Sequence, residues 1–263
     1  LREVGRGLDI QEVHRPELKR GQVLVRVTYS GVCRSQLMEV RGLRGEDRWL
    51  PHLLGHEGVG VVVEVGPGVI KVRDGDRVIL GWIAGVGIDA PPPVFKSTQG
   101  ETINAGPVTT FAQYSVVSEN RVYLAPEGVS EKTAVLFGCA LLTGMGMALR
   151  EVNIGSDDQV LINGAGGVGL AALLGALSRG ARVVVADPDP AKRELATQLG
   201  AIFAFDPRDS DHVEAFTSAY PDGVDTAIDS SGRVEAIQFA FTSLKYGGGT
   251  LVFASHPPAG EDL

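Results

Sequence analysis

Cysteine is nearly absent: 263 residues carry only Cys33 and Cys139. Two cysteines so far apart make no disulfide framework. They imply thiols available to a metal and a cytoplasmic protein. Basic residues are outnumbered, 24 Lys and Arg against 32 Asp and Glu, for a net charge of −8. No basic tract stands out, so nucleic acid is not an expected partner. No apolar run approaches the ~20 residues that span a bilayer, so no membrane partner is expected either. The N-terminus lacks both Met and any signal-peptide pattern. Glycine, by contrast, is abundant at 35 residues, the mark of many turns and close backbone approaches. The length allows a large core and two domains.

The first half reads as short strands joined by turns. Residues 1–30 read as strands throughout, and Leu1 already sits in one, so the chain is expected to be clipped at its front. Gln22 to Tyr29 is β-rich and follows the turn Lys19-Arg20-Gly21. Ser30-Gly31 leads from it into a short helical segment, which puts Cys33 where a strand ends. Further strands are expected at 59–65, 78–80, 109–117 and 121–124, a pattern of a closed or nearly closed β-barrel. Residues 83–107, with Pro91-Pro92-Pro93, read as a long surface loop or lobe. Residues 130–150 read as helical, with Cys139 inside. Between the two cysteines lies Gly55-His56-Glu57-Gly58-Val59-Gly60. If His56 meets both cysteines, the three form a Cys-His-Cys set with one open position, the ligand logic of a catalytic zinc site. Singly, each has a plainer explanation, as a buried thiol or a hydrogen-bonded core histidine. His52 and His256 read as surface or pocket-rim residues.

The second half alternates strands and helices, which implies a parallel sheet with helices on both faces. The strand Gln159–Asn163 runs straight into Gly164-Ala165-Gly166-Gly167-Val168-Gly169, which opens a helix. The next strand ends in Asp187, about 20 residues on, as in a dinucleotide-binding unit. Gly164 allows the tight turn, Gly166 lets a pyrophosphate approach, and Gly169 lets helix and strand pack. The helix N-terminus favours phosphate. Asp187 suits the adenosine ribose hydroxyls and would repel a 2′-phosphate. With Pro188 and Asp189 following, NAD is favoured over NADP. Five strands are legible, one short of a complete nucleotide fold, so the chain is also expected to be cut at its end.

These features together resemble the zinc-dependent alcohol dehydrogenases of the medium-chain dehydrogenase/reductase superfamily. The likeness rests on Gly55-His56-Glu57 with Gly60, Gly66 and Val69, on Gly31-Val32-Cys33-Arg34-Ser35, and on Phe137-Gly138-Cys139. It spans essentially the whole chain. It implies an α/β protein: a GroES-like β-barrel catalytic domain over 1–140 and a doubly wound parallel-sheet (Rossmann) domain, incomplete, over 141–263. It implies zinc on Cys33, His56 and Cys139, with Glu57 assisting ligand exchange and Ser35 taking the alcohol proton. Arg34 corresponds to a pyrophosphate contact, Thr143 and Val168 to nicotinamide contacts, Asp187 and Lys192 to ribose contacts. Trp82 corresponds to a wall of the substrate pocket.

Four departures qualify the likeness. Residues 83–107 hold no cysteine, where the family's structural zinc lobe has four, so a single catalytic zinc is expected. Met38 stands where the family often has a proton-relay histidine, so the path beyond Ser35 needs ribose hydroxyls and water. Gln36 stands where an aspartate often orients the zinc-bound histidine. The sixth strand, which carries the family's dimer contact, is missing, although the full-length form is expected to be a homo-oligomer. The expected activity is hydride transfer between an alcohol or polyol (or aldehyde or ketone) and NAD, with zinc as Lewis acid. Two alternatives stand beside it. A zinc-independent NAD(P)H-dependent double-bond reductase would resist chelators, and a non-catalytic protein retaining the fold would not bind NADH.

Overall fold

In the computed structural model, which describes residues 1–261, the chain divides after Cys139 into two units, Leu1–Cys139 and Ala140–Leu263. In the first unit, strands β2 (Gln22–Ser30), β3 (Gly58–Val65), β4 (Arg77–Leu80), β7 (Tyr114–Ser118) and β8 (Val122–Leu124) form one antiparallel sheet in the order β7-β2-β3-β4-β8. The edge strands β7 and β8 are joined by a single 3-10 turn, Glu119–Arg121. So short a link makes the sheet curl until its edges nearly meet, the expected near-closed barrel. Its interior is lined by Val23, Val25, Val62, Val78, Leu80, Val117 and Val122. β-branched side chains suit a pleated wall, and each fully buried one contributes about 1.5–3 kcal/mol.

A small second sheet corrects the reading of residues 83–107 as loop. β5 (Val94–Ser97) and β6 (Thr102–Asn104) form a hairpin, and β5 also pairs with β1 (Val13–His14). β5 alternates exposed Val94 and Lys96 with buried Phe95 and Ser97, and Phe95 and Ile103 pack on Leu24 and Val116. The prolines just before β5 masked this strand. Three other expectations fail locally. Residues 1–12 form no strand. The strand expected from 109 begins only at Tyr114, because the amides of Thr110 and Phe111 both donate to Leu54 O instead. The helix expected over 130–150 is broken: α2 (Glu131–Ala134) and a 3-10 turn (Val135–Gly138) end at Cys139, with φ −147° and ψ −72°. Then α3 (Ala140–Gly146) and a π-helical turn (Met147–Glu151) follow. The short helix α1 (Arg34–Val40) follows β2 as expected.

The second unit holds a five-stranded parallel sheet in the order β11-β10-β9-β12-β13. Its strands are β9 (Gln159–Asn163), β10 (Arg182–Ala186), β11 (Phe203–Phe205), β12 (Thr226–Asp229) and β13 (Thr250–Phe253), alternating with α4 (Gly167–Ser178), α5 (Pro190–Gln198), α6 (Ser210–Ala219) and α7 (Val234–Thr242). Both faces are covered. Val160, Ile162, Val183 and Ile228 pack against Ala172, Leu173 and Ala176 of α4, while Leu161, Val184 and Ala227 pack against Phe216 of α6 and Ala240 of α7. This two-sided burial explains why the strands read as continuous apolar runs. β9 has β10 on one side and β12 on the other, so the strand order reverses at its C-terminal end, where ligands bind in open α/β sheets. Among the described residues no single helix is long and apolar enough to cross a membrane.

Candidate metal centre and dinucleotide cradle

The first unit gathers Cys33, His56, Glu57 and Cys139 so that one donor atom from each lies within 4.8 Å of the others. Each arrives by a different local device. Cys33 caps the N-terminus of α1. His56 and Glu57 lie in the extended segment before β3, reached through Gly55 at φ +91°. A Cβ on Gly55 would lie 2.4 Å from Thr110 Oγ1 and 2.8 Å from Phe111 N, so only glycine fits. The Glu57 carbonyl accepts from Gly31 N–H and Thr110 Oγ1, each at 3.1 Å, and from Ser30 Oγ at 3.2 Å. Two segments, Ser30-Gly31 and the one holding Thr110, thus fix the backbone that presents both side chains. Gly138 carries Cys139 in: a Cβ there would meet Leu80 O at 2.5 Å and Glu57 Cβ at 2.8 Å.

The donors are prepared electrostatically. A hydrogen bond from the Cys139 side chain, set against burial and helped by His56 and Ser35, pulls the Cys33 thiol from 9.0 down to about 3. Cys33 is thereby held as thiolate, the form that ligates metal. His56 Nε2 is buried on the side of the two cysteines. A buried ring nitrogen there, beside two sulfurs and a carboxylate, fits a soft divalent cation such as zinc. On the other side of the ring, His56 Nδ1 meets the Gln36 side-chain amide and, at 3.4 Å, Ser35 Oγ. Gln36 is buried, and its Oε1 also accepts the Cys33 N–H at 3.2 Å. Trp82 is not core, being 46% exposed, and its N–H donates to Gly138 O at 3.2 Å, which seats it beside Cys139. His52 corrects the surface reading: it is buried, its Nδ1 2.8 Å from Leu53 O and its Nε2 2.8 Å from Asp47 Oδ2. The hydrogen bond to Asp47 offsets its burial. His256 is exposed.

The second unit presents the glycine turn between β9 and α4. Gly164 has φ +89°. A Cβ on Gly169 would lie 1.8 Å from Gly164 O, so that glycine allows the helix to touch the strand end. A Cβ on Gly166 would meet nothing within 4 Å, leaving open space over the turn. α4 has no side-chain cap and no acidic residue in its first turn, so its leading amides suit a phosphate. Asp187 is buried at the end of β10, its Oδ2 accepting Ala165 N–H at 2.7 Å and its Oδ1 accepting Asp189 N–H at 2.8 Å. The charge of nearby Arg208 is engaged by Asp206 at 2.9 Å, and its hydrogen bond draws the Asp206 carboxyl to about 2. Thr143 Oγ1 on α3 is buried without a hydrogen bond among the described residues. Arg34 and Lys192 are exposed, and Val168 is half-buried in the first turn of α4. These features fit a pyrophosphate and a ribose.

A family model described as an alcohol dehydrogenase GroES-like domain matches residues 19–127, and one described as a zinc-binding dehydrogenase matches residues 167–263. The S-(hydroxymethyl)glutathione dehydrogenase of Synechocystis sp. is 32% identical over 289 residues, covering 99% of this chain and 78% of that protein. The chain belongs to the zinc-dependent alcohol dehydrogenase family of the medium-chain dehydrogenase/reductase superfamily. The same enzyme from Photobacterium damsela subsp. piscicida is 32% identical, covering 98% of this chain and 77% of its own. Among solved structures, an alcohol dehydrogenase zinc-binding domain protein from Burkholderia ambifaria superposes with TM-score 0.89 at 26% identity, covering 99% of this chain and 77% of that one. Benzyl alcohol dehydrogenase from Acinetobacter calcoaceticus follows at TM-score 0.83 and 25% identity, covering 97% and 75%. The resemblance seen in the sequence is thus family membership, and with it come zinc, NAD and alcohol oxidoreduction as the family's chemistry. The sequence reading missed Ser30 and Thr110 as supports of Glu57. Their contacts span 27 and 53 residues, and no local pattern announces them.

Proposed function

We propose that this family member oxidises a small alcohol, or reduces the matching aldehyde or ketone, with NAD as hydride carrier and one zinc on Cys33, His56 and Cys139. The observation that carries the reading is the convergence of these three residues with Glu57, with His56 Nε2 buried on the side of the two cysteines. Bound there, zinc supplies Lewis-acid polarisation of the substrate oxygen. Glu57, buried against the ligand set, would lie beside the bound metal, where its carboxylate would assist exchange of ligands. Ser35, on the first turn of α1 and within reach of Cys33 and His56, accepts the alcohol proton at Oγ while its own hydroxyl proton passes on to a ribose hydroxyl or water. Trp82 forms a pocket wall, consistent with its exposure beside Cys139. The turn Gly164, Gly166, Gly167 and Gly169 with the α4 N-terminus holds the pyrophosphate, and Arg34 corresponds to a further pyrophosphate contact in the family. Asp187 and Lys192 hold the adenosine ribose, and the preformed Asp187 carboxylate favours NAD. Thr143 Oγ1 and Val168 contact the nicotinamide.

The domain assignment proposed is catalytic for 1–140 and nucleotide-binding for 141–263. Two zinc-bound thiols suit a reducing compartment such as the cytoplasm, and a homo-oligomer is the family expectation. The relatives are named for S-(hydroxymethyl)glutathione and benzyl alcohol, both of which carry a CH2OH group, so compounds with that group head the substrate panel. The test is zinc analysis of the purified chain with NADH absorbance followed over that panel, with and without chelator. The ligand count leads us to expect about one zinc per chain and activity lost with the metal. A metal-free protein of full activity would overturn the reading in favour of the double-bond reductase.

A further inference from the structure

Gln36 has two partners with incompatible demands. Its Oε1 accepts the backbone N–H of Cys33 at 3.2 Å, closing a capping box on α1. A backbone N–H can only donate, so this contact fixes which way the amide lies. Its NH2 group therefore faces His56 Nδ1, and an amide NH2 can only donate. Nδ1 must then offer its lone pair, and in a neutral imidazole the proton sits on Nε2. That is the buried nitrogen that faces the two cysteines.

We infer that Gln36 is a positioning residue that makes zinc capture by His56 conditional on turning over a single side-chain amide. This rests on the zinc reading above and deepens it. A neutral histidine ligating through Nε2 carries its proton on Nδ1, and that N–H needs an acceptor. With Gln36 as it lies, Nδ1–H would point at NH2, donor against donor. Turning the amide presents Oε1 to His56 but sets NH2 against the Cys33 N–H, and α1 loses its cap just where a zinc ligand sits. Ser35 Oγ, at 3.4 Å from Nδ1, is at the long limit of a useful bond. A carboxylate at position 36 removes the conflict, because both its oxygens accept.

The test uses the whole chain, labelled with nitrogen-15, in zinc-free and zinc-loaded states. Long-range proton–nitrogen NMR reads the His56 tautomer, and competition with a chromophoric chelator reads zinc affinity for the wild type and Gln36→Glu. Expected is Nε2–H in the zinc-free wild type, Nδ1–H in the zinc-loaded protein, and zinc bound about ten- to a hundredfold tighter by Gln36→Glu. Nδ1–H already present in the zinc-free wild type, or a Gln36→Glu affinity within about threefold of wild type, overturns the inference. If Gln36→Glu does not fold, the wild-type tautomer decides alone. If the wild type binds no zinc, the functional reading falls, while the zinc-free tautomer still judges Gln36.

Discussion

Glu119 is 1% exposed and lies in the 3-10 turn that links the two barrel edges. Its Oε1 accepts from Ile70 N–H at 2.7 Å and Lys71 N–H at 2.8 Å, and its Oε2 from Ile88 N–H at 2.9 Å. One carboxylate therefore pins the segment after β3, the segment before β5 and the closure of the barrel. A glutamine in its place would match its shape but not its chemistry. The amide oxygen can keep two of the three bonds, and the NH2 then faces the Ile88 N–H, or the reverse. One charge-assisted bond is lost, about 1.5–3 kcal/mol, and a buried donor is left unsatisfied at about 1–3 kcal/mol. Glu119→Gln should thus destabilise the first unit by about 2.5–6 kcal/mol, a melting shift of roughly 5–24 °C for a chain of this size. The effect should depend on pH. Burial pushes the Glu119 carboxyl up, but the three amides and the Lys71 ammonium outweigh it, and the net displacement is downward from 4.5. A depressed acid stabilises fully above its unfolded value and loses that stability as pH falls through its folded value. The gap between wild type and Glu119→Gln should accordingly be full at pH 7 and narrow below about pH 4. Calorimetry across that range measures it, with amide exchange at Ile70, Lys71 and Ile88 as the local readout. A melting point within about 1 °C of wild type at neutral pH, or a gap unchanged by acid, would refute the argument.

Two glycines carry further tests. Gly169→Ala places a Cβ 1.8 Å from Gly164 O and 2.7 Å from Ser230 Oγ, forcing α4 off the end of β9. NADH affinity by fluorescence titration should fall by at least about tenfold, and stability by about 1–3 kcal/mol, the usual penalty of overpacking. Gly138→Ala drives a Cβ to 2.5 Å from Leu80 O and 2.8 Å from Glu57 Cβ, which displaces Cys139 from Cys33. Zinc content should fall while NADH titration is unchanged; normal zinc loading in this variant would refute the role given to Gly138.

The second unit was legible because its signals are local. Val160, Leu161 and Ile162 form one apolar run because helices cover both faces, and Gly164 to Gly169 follows without a gap. The first unit was less so, because its rules are long-range. Nothing near Thr109 says that the amides of Thr110 and Phe111 will bind Leu54 O instead of a neighbouring strand. Pro91-Pro92-Pro93 reads as loop and hides a hairpin whose only local sign is the alternation Val94, Phe95, Lys96, Ser97. His52 looked peripheral because Asp47, five residues back, must fold over it before its burial makes sense.

The metal centre shows the same division inside one site. The ligands stand out in sequence because donor chemistry admits so few residue types: a chain with two cysteines has little choice. The groups that hold them do not stand out, since Ser30, Thr110 and Gln36 are ordinary until their partners are known. Yet these residues tie metal binding to the fold. Cys33 is both a donor and the N-cap of α1, and the Gln36 amide that completes that cap also faces His56. Gly138 brings Cys139 in by the same close approach that breaks the helix there. Loading the site must therefore adjust α1 as well as the donors themselves. A carboxylate at position 36 would separate these two demands; glutamine joins them, and that makes position 36 the point where metal affinity in this chain is set.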